Sequence, residues 1–466
     1  MRNVDVAIIG AGSAGLSARS EVAKITENYL VIDDGPLGTT CARVGCMPSK
    51  VLIQAANDFH RRHKFSAMGI NGGSDLSIDL KTTMEHVRSL RDRFVRGVLG
   101  GISSWQDTHL IQKRATFIDQ NSLKVGDEII KAKKIIIATG SKPILPDAWN
   151  EYKDYFVDSD FFFELENFPK KMAVLGYGVI GLELGQAIHR LGVEVTFIGR
   201  RPVVGGLTDP EIASYTWKKL SEEMDLSSDG IEILGKSKNG LRIKTGEREI
   251  EVEKVLFGLG RQPMVKGLGL ENLGIEFNSK DVPLYDPETY LVKGTEGVYL
   301  TGDATGIFPV LHEASDEGKT AGFNAVRENR TPFKKRTRLS VTFSDPNICL
   351  VGKSYKELKD EGIDFVTGEV SFEGQGRSIV MLKECGLMHV YGCKKSGLLL
   401  GAELFAPSGE HMAHLLAWAI ASKKTVFEIL SFPFYHPVLE EGLRAALRGI
   451  KYNVDAKEPP LEVPLA

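Results

Sequence analysis

An α/β fold containing two copies of one strand–turn–helix–strand unit is predicted by three observations. The turn Gly10-Ala11-Gly12-Ser13-Ala14-Gly15 follows an apolar strand, Val4–Ile9, and opens a helix to about Lys24. A second turn of the same form, Gly176-Tyr177-Gly178-Val179-Ile180-Gly181, follows the strand Met172–Leu175 and opens a helix over Leu182–Leu191. Each helix leads into another apolar strand, Tyr29–Ile32 and Val193–Ile198. Glycines at that spacing let the backbone approach a pyrophosphate seated on the helix N-terminus. Asp33, about 20 residues past the first turn, stands where a carboxylate can accept a bond from ribose hydroxyls. The turns lie about 166 residues apart, far more than a solenoid repeat, so they read as a duplicated Rossmann-like module with two dinucleotide sites.

The other elements follow in chain order. Ile135-Ile136-Ile137-Ala138-Thr139-Gly140 is a buried strand ending in glycine, with Pro143 and Pro146 as breakers beyond it. Leu256–Pro263 repeats that form around Gly260. Val298-Tyr299-Leu300-Thr301-Gly302-Asp303 is a third such strand end, and a helical stretch runs from His312 to about Glu328. Thr331–Arg338 is polar and basic and reads as a linker. Roughly the last 130 residues mix strand-like runs (Leu398–Phe405) with helical ones (His411–Ser422).

Composition sets the class. A chain of 466 residues suggests about three domains. Its hydrophobic fraction of 42% and charged fraction of 26% exclude a mainly disordered or fibrous chain. With 58 basic and 61 acidic residues, no basic excess points to nucleic acid or an anionic membrane. No apolar run reaches the length of a membrane span, and the N-terminus enters a strand at once, so a cytoplasmic protein is expected. Five cysteines, an odd and low number, argue against a secreted disulfide framework.

The segment Gly38-Thr39-Thr40-Cys41-Ala42-Arg43-Val44-Gly45-Cys46-Met47-Pro48-Ser49-Lys50 holds two of them, five apart. Two further ligands at metal spacing are not nearby, so no metal site is expected there. Two readings remain: separate buried thiols, or a bridge. Residues i and i+5 of an ideal helix have Cα atoms about 8.7 Å apart. A disulfide wants less than about 7 Å. A bridge therefore requires the backbone to leave the helical path, and Gly45 and Pro48 are suited to that.

The motif Cys41-x-x-x-Gly45-Cys46-x-Pro48-Ser49-Lys50 resembles that of the flavin-linked disulfide oxidoreductases, which include dihydrolipoamide dehydrogenase, glutathione reductase and mercuric reductase. The resemblance extends to Gly10–Gly15, Ala138-Thr139-Gly140, Gly176–Gly181, Gly260-Arg261-Gln262-Pro263, Thr301-Gly302-Asp303, and His436-Pro437 with Glu441, in order over nearly the whole chain. It implies a redox-active Cys41–Cys46 disulfide. FAD would be held by residues 1–150 and 266–336, and a nicotinamide cofactor by 151–265. An α+β dimerisation domain would span 337–466. Gly10, Gly12, Gly15, Asp33, Thr139, Gly140, Gly302 and Asp303 would face FAD, Asp303 at its ribityl chain. Gly176, Gly178, Gly181 and Gly260 would serve the nicotinamide cofactor. Lys50 would lie by the flavin ring, paired with Glu183. Cys46 would be the flavin-proximal thiol and Cys41 the thiol that exchanges with substrate. His436, oriented by Glu441, would be the general base, supplied by the other subunit of a homodimer. An imidazole's ordinary pKa near 6.5 suits that proton transfer.

Within the family, the chain has no cysteine after Cys393, unlike mercuric reductases, which carry a C-terminal pair. It has the redox pair that the family's soluble transhydrogenases lack. Pro48-Ser49-Lys50 is similar to dihydrolipoamide dehydrogenase, so dihydrolipoamide, as a small molecule or on a lipoyl domain, is the expected substrate. Thr39 stands in place of a usual glycine, and Cys41-Ala42-Arg43 in place of Cys-Leu-Asn. Another disulfide, or a quinone or oxygen with the disulfide vestigial, is the alternative. After Phe197-Ile198 the chain continues Gly199-Arg200-Arg201, with no acid to repel a 2′-phosphate, whereas Gly181 is NAD-like. Arg200 and Arg201 are expected to bind that phosphate, giving relaxed or NADP-leaning use.

Overall fold

The computed structural model describes residues 1–464. The strand Arg2–Ile9 is the hinge of the first sheet. It pairs in parallel with Tyr29–Ile32 on one side and Glu128–Ile137 on the other, Ala7 standing opposite both Leu30 and Ile135. Its burial on both faces explains why the sequence is a near-continuous apolar run rather than an alternating one. Val298–Leu300 adds in parallel to Glu128–Ile137, bringing a strand from far along the chain into the same sheet. Antiparallel strands Ser122–Val125 and Ala115–Asp119 complete one edge.

The helix Ser13–Val22 after the first turn packs against Leu311–Ala325 with the two backbones nearly touching. A Cβ on Gly318 would lie 2.1 Å from the Ala14 carbonyl oxygen, and one on Gly322 2.4 Å from that of Ala18. That close approach is what these helical glycines allow. The first helix ends at Val22 rather than near Lys24. The second opens at Val179, directly after Gly178, earlier than Leu182.

The second module is an all-parallel five-stranded sheet, in the order Asp225–Ser227, Glu194–Ile198, Lys171–Leu175, Lys254–Phe257, Phe156–Val157. A two-stranded antiparallel ribbon, Ser141–Pro143 with Arg261–Pro263, joins the exits of the two modules. The C-terminal part is a five-stranded antiparallel sheet. The helices Gly409–Ala421 and Glu441–Lys451 bury their apolar residues with it in one core. The segment 331–338 has no helix or strand, as expected of a linker. It is nonetheless tied down, Lys335 pairing with Glu317 at 2.9 Å and Arg336 with Asp316. Among the described residues no helix is long and apolar enough to cross a membrane.

Candidate active site

Both glycine turns have the geometry their sequence requires. Gly10 (φ +112°) and Gly176 (φ +97°) adopt backbone conformations that side chains disfavour. A Cβ on Gly15 would sit 1.9 Å from the Gly10 carbonyl oxygen, and one on Gly181 2.1 Å from that of Gly176. These third glycines close helix on strand. The middle glycines differ: Gly12 and Gly178 cap their helices, and a Cβ on either would meet nothing within 4 Å. Each turn thus keeps an open space over a helix N-terminus, where an anion is favoured.

Asp33 ends the strand Tyr29–Ile32, and its carboxylate accepts from the amides of Ala11 and Gly35. It therefore braces the first turn, with lone pairs left for a ribose. Thr139 and Gly140 (φ +75°) follow the strand Glu128–Ile137. The Thr139 hydroxyl is buried and has no partner within the protein, an orphaned group at the place where the motif expects the flavin. Gly302 (φ +66°) donates its amide to Glu317 at 2.8 Å. Asp303 accepts from Ser141 at 2.6 Å, and Arg261 donates to that same Ser141 hydroxyl at 2.8 Å. The residues present fit FAD: an open glycine cradle, an orphaned hydroxyl and an acid fixed in position.

Cys41 and Cys46 are bridged, with Cα atoms 4.7 Å apart. The backbone leaves the helical path where expected. Thr40–Val44 is a short helix, Gly45 is non-helical (φ −128°, ψ −112°), and a new helix runs over Cys46–His60. Cys46 is the first residue of that helix. A helix N-terminus stabilises a thiolate, so Cys46 is the cysteine better placed to ionise. Lys50, one turn on, donates to Glu183 at 2.7 Å and lies 4.5 Å from the centroid of the Phe343 ring. Glu183 is buried in the second module's first helix, and its other oxygen accepts from the Phe343 amide at 2.9 Å. One carboxylate therefore ties the cysteine helix, the second module and the C-terminal sheet together.

Thr39 caps the short helix at φ +62°, ψ 147°, its hydroxyl accepting from the Ala42 amide at 3.3 Å. This is a nearly glycine-only region, and a β-branched residue there costs about 1–3 kcal/mol. Glycine would relieve that strain, losing a few tenths for the weaker cap and somewhat under 1 kcal/mol through a freer unfolded chain. Thr39→Gly is thus expected to stabilise the chain by about 1 kcal/mol in denaturant unfolding. An unchanged or lowered midpoint would contradict it.

His436 lies in an exposed loop, its side chain 81% accessible. Its Nδ1 faces both oxygens of Glu441, at 3.0 and 3.1 Å, and Glu441 also accepts from the Val438 amide. The hydrogen bond from His436, then that from Val438, holds the Glu441 carboxyl below its usual range. Nε2 is left to face outward. Beside the loop lies an apolar groove of about 570 Å³, and Leu415, Trp418, Phe432 and Tyr435 there are exposed. A patch of this kind marks an interaction surface.

Arg200 and Arg201 are exposed just past Glu194–Ile198, and among the described residues neither pairs with a carboxylate. Gly260 (φ +101°) accepts from the Ile144 amide and turns the chain into the ribbon strand bearing Arg261. Of the remaining cysteines, Cys349 is fully buried and its thiol is pushed far up by burial; burial raises Cys385 to about 11. Sequence reasoning missed Ser141, Glu317 and Phe343. Ser141 and Phe343 act on site residues about 160 positions away, and Glu317 on Gly302 across a strand-to-helix connection, so no local pattern marks them.

Residues 4–318 match the pyridine nucleotide-disulphide oxidoreductase family, and residues 339–447 match the dimerisation domain of the same family. The chain belongs to that family. It is a flavoprotein disulfide oxidoreductase, of the kind that works with FAD and a nicotinamide cofactor. Dihydrolipoyl dehydrogenase of Bacillus subtilis is 29% identical, covering 94% of each chain. That of Thermus scotoductus is also 29% identical, over 97% of this chain and 98% of the relative. Among solved structures, the HOCl-induced flavoprotein disulfide reductase RclA of Escherichia coli, as a Cu(II) complex, superposes with a TM-score of 0.83. It is 21% identical over 97% of this chain and 100% of its own. LpdA of Mycobacterium tuberculosis gives 0.82 at 22% identity, over 96% and 99%. Both likenesses bear on the fold.

Proposed function

We propose that the enzyme exchanges electrons between a nicotinamide cofactor and dihydrolipoamide or its disulfide, on a small molecule or a lipoyl domain, through Cys41 and Cys46. The carrying observation is the bridged pair at the head of a helix whose Lys50 is locked to Glu183. The bound flavin supplies the two-electron link between nicotinamide and disulfide. Gly10, Gly12, Gly15, Asp33, Thr139, Gly140, Gly302 and Asp303 hold it, and Lys50 stands at its ring. Once the bridge is reduced, Cys46, at the helix N-terminus, is the thiolate on the flavin side. Cys41 attacks, or is released from, the substrate sulfur. Proton transfer at that sulfur belongs to His436 Nε2, oriented through Nδ1 by Glu441. The homodimer places His436 of one chain at the cysteines of the other. The setting is cytoplasmic.

One panel tests the substrate: lipoamide, oxidised glutathione and a quinone, each with NADH and NADPH. Lipoamide is expected to give the highest kcat/KM. A quinone as the only substrate would overturn the reading. For the cofactor, Gly176, Gly178, Gly181 and Gly260 shape the site, and Arg200 and Arg201 face the adenosine ribose. Use of NADPH at least as efficient as that of NADH is expected, with Arg200→Ala lowering kcat/KM for NADPH alone. Strong NADH preference, unchanged in Arg200→Ala, would contradict it.

A further inference from the structure

A second cluster of titratable groups lies at the junction of the nicotinamide module and the C-terminal sheet. Its centre is His389, only 3% exposed, on the strand Leu387–Cys393. Glu369 stands directly opposite on the neighbouring strand Phe365–Ser371. Directly opposed residues project from the same face. Glu211 reaches the same point from the first turn of the helix Pro210–Glu223 in the other module. One ligand atom from each of these three residues lies within 4.8 Å of the others.

The helix is fixed over the sheet by carboxylates with all their bonds filled. Glu403, fully buried on the strand beside His389, accepts from the amides of Thr208, Asp209 and Tyr355. Asp209 caps the helix through one oxygen. Its other oxygen accepts from His389 Nδ1 at 2.8 Å and from the Tyr391 hydroxyl at 3.0 Å. The imidazole is therefore clamped, with Nδ1 committed. Its Nε2 is buried and has no hydrogen-bond partner. It points at Glu369 Oε2, 3.5 Å away, and Glu211 Oε2, 3.8 Å away.

Those separations are too long for good N–H···O bonds, so a simple imidazolium–carboxylate pair fits them poorly. They approach the spacing of two ligands on a shared cation, and all three ligand atoms lie within 4.8 Å of one another. With metal–ligand distances of about 2.1 Å, adjacent ligands of a tetrahedral ion lie about 3.4 Å apart. Charge argues the same way. Among the described residues no lysine or arginine pairs with Glu211 or Glu369, and neither carboxylate receives a hydrogen bond from another side chain. Asp209 behind the histidine completes the carboxylate–histidine–metal arrangement that fixes a tautomer and raises ligand basicity.

We infer that His389 Nε2, Glu211 and Glu369 bind one zinc-class divalent cation, with Asp209 positioning the imidazole and water filling the fourth place. An imidazole ligand selects zinc over magnesium or calcium. The ion would pin the nicotinamide module to the C-terminal sheet, away from the chemistry of Cys41 and Cys46. The sequence does not show the site, because its ligands come from three separate elements.

The test uses the FAD-loaded dimer, stripped with chelator and kept oxidised so that Cys41 and Cys46 stay bridged. Zinc uptake is measured by equilibrium dialysis with elemental analysis. One zinc per chain is expected, along with a thermal midpoint that rises with free zinc. Glu211→Gln and Glu369→Gln should each weaken binding at least about tenfold. Both side chains are more than half exposed, so these variants should fold. His389→Ala should abolish uptake, and His436→Gln should retain it. Uptake well below one per chain, or unchanged in the Glu211→Gln/Glu369→Gln double variant, would overturn the proposal. In the first case the cluster is a protonated histidine among carboxylates; in the second the ion sits elsewhere.

Discussion

Serine in place of Cys41 or Cys46 is expected to abolish lipoamide turnover while leaving quinone reduction largely intact. Exchange runs through a mixed disulfide: a thiolate attacks one sulfur, and a second thiol resolves the bond. In Cys41→Ser the attacking group is gone, because a hydroxyl is neither ionised near neutral pH nor a partner for sulfur. In Cys46→Ser the remaining Cys41 has nothing to resolve with and no route to the flavin. Loss of a covalent nucleophile typically costs several orders of magnitude. Quinones can take electrons from the flavin directly, so NADH or NADPH oxidation with a quinone serves as the internal control for folding and flavin content. Lipoamide activity within about tenfold of the parent in either variant would refute the assignment. Loss of both activities would instead point to failed flavin binding, which absorbance of the bound cofactor reveals.

The fold was legible where one residue type does one job. The glycine turns fixed both modules, because only glycine tolerates the positive φ of Gly10 and Gly176 and the contacts at Gly15 and Gly181. Apolar runs fixed the central parallel strands, since burial on both faces leaves no alternative pattern. The Lys50–Glu183 contact followed from the family motif alone, as no local pattern relates residues that far apart. Thr39 was readable as a departure but not as strain, which needs the backbone angle. The groups that brace the site were invisible. Ser141 reaches Asp303 and Glu317 reaches Gly302 only once the first module's sheet has closed, and Asp209 reaches His389 only after two modules dock. Such bonds depend on tertiary position, and neither periodicity nor spacing carries them.

Two inactive variants are expected to restore each other's activity when refolded together, which is the direct test of a shared site. His436 is exposed in its own chain, with Nδ1 held by Glu441 and Nε2 facing outward beside an apolar groove. A base aimed away from its own chain suits a site completed by a second copy. Cys41→Ser removes the exchanging thiol, and His436→Gln removes the base, a loss of about 10²–10⁴-fold. Unfolded, mixed and refolded with FAD, the two chains form about half hybrid dimers if pairing in a two-fold dimer is random. In a shared-site hybrid, one site takes its cysteines from the His436→Gln chain and its histidine from the Cys41→Ser chain. That site is intact; the other carries both lesions. The mixture should then recover up to about a quarter of parent activity, far above the His436→Gln background. If each site instead used its own chain's histidine, every site would keep one lesion and nothing would return. Hybrids counted by native mass spectrometry, with activity still at background, would exclude the shared site.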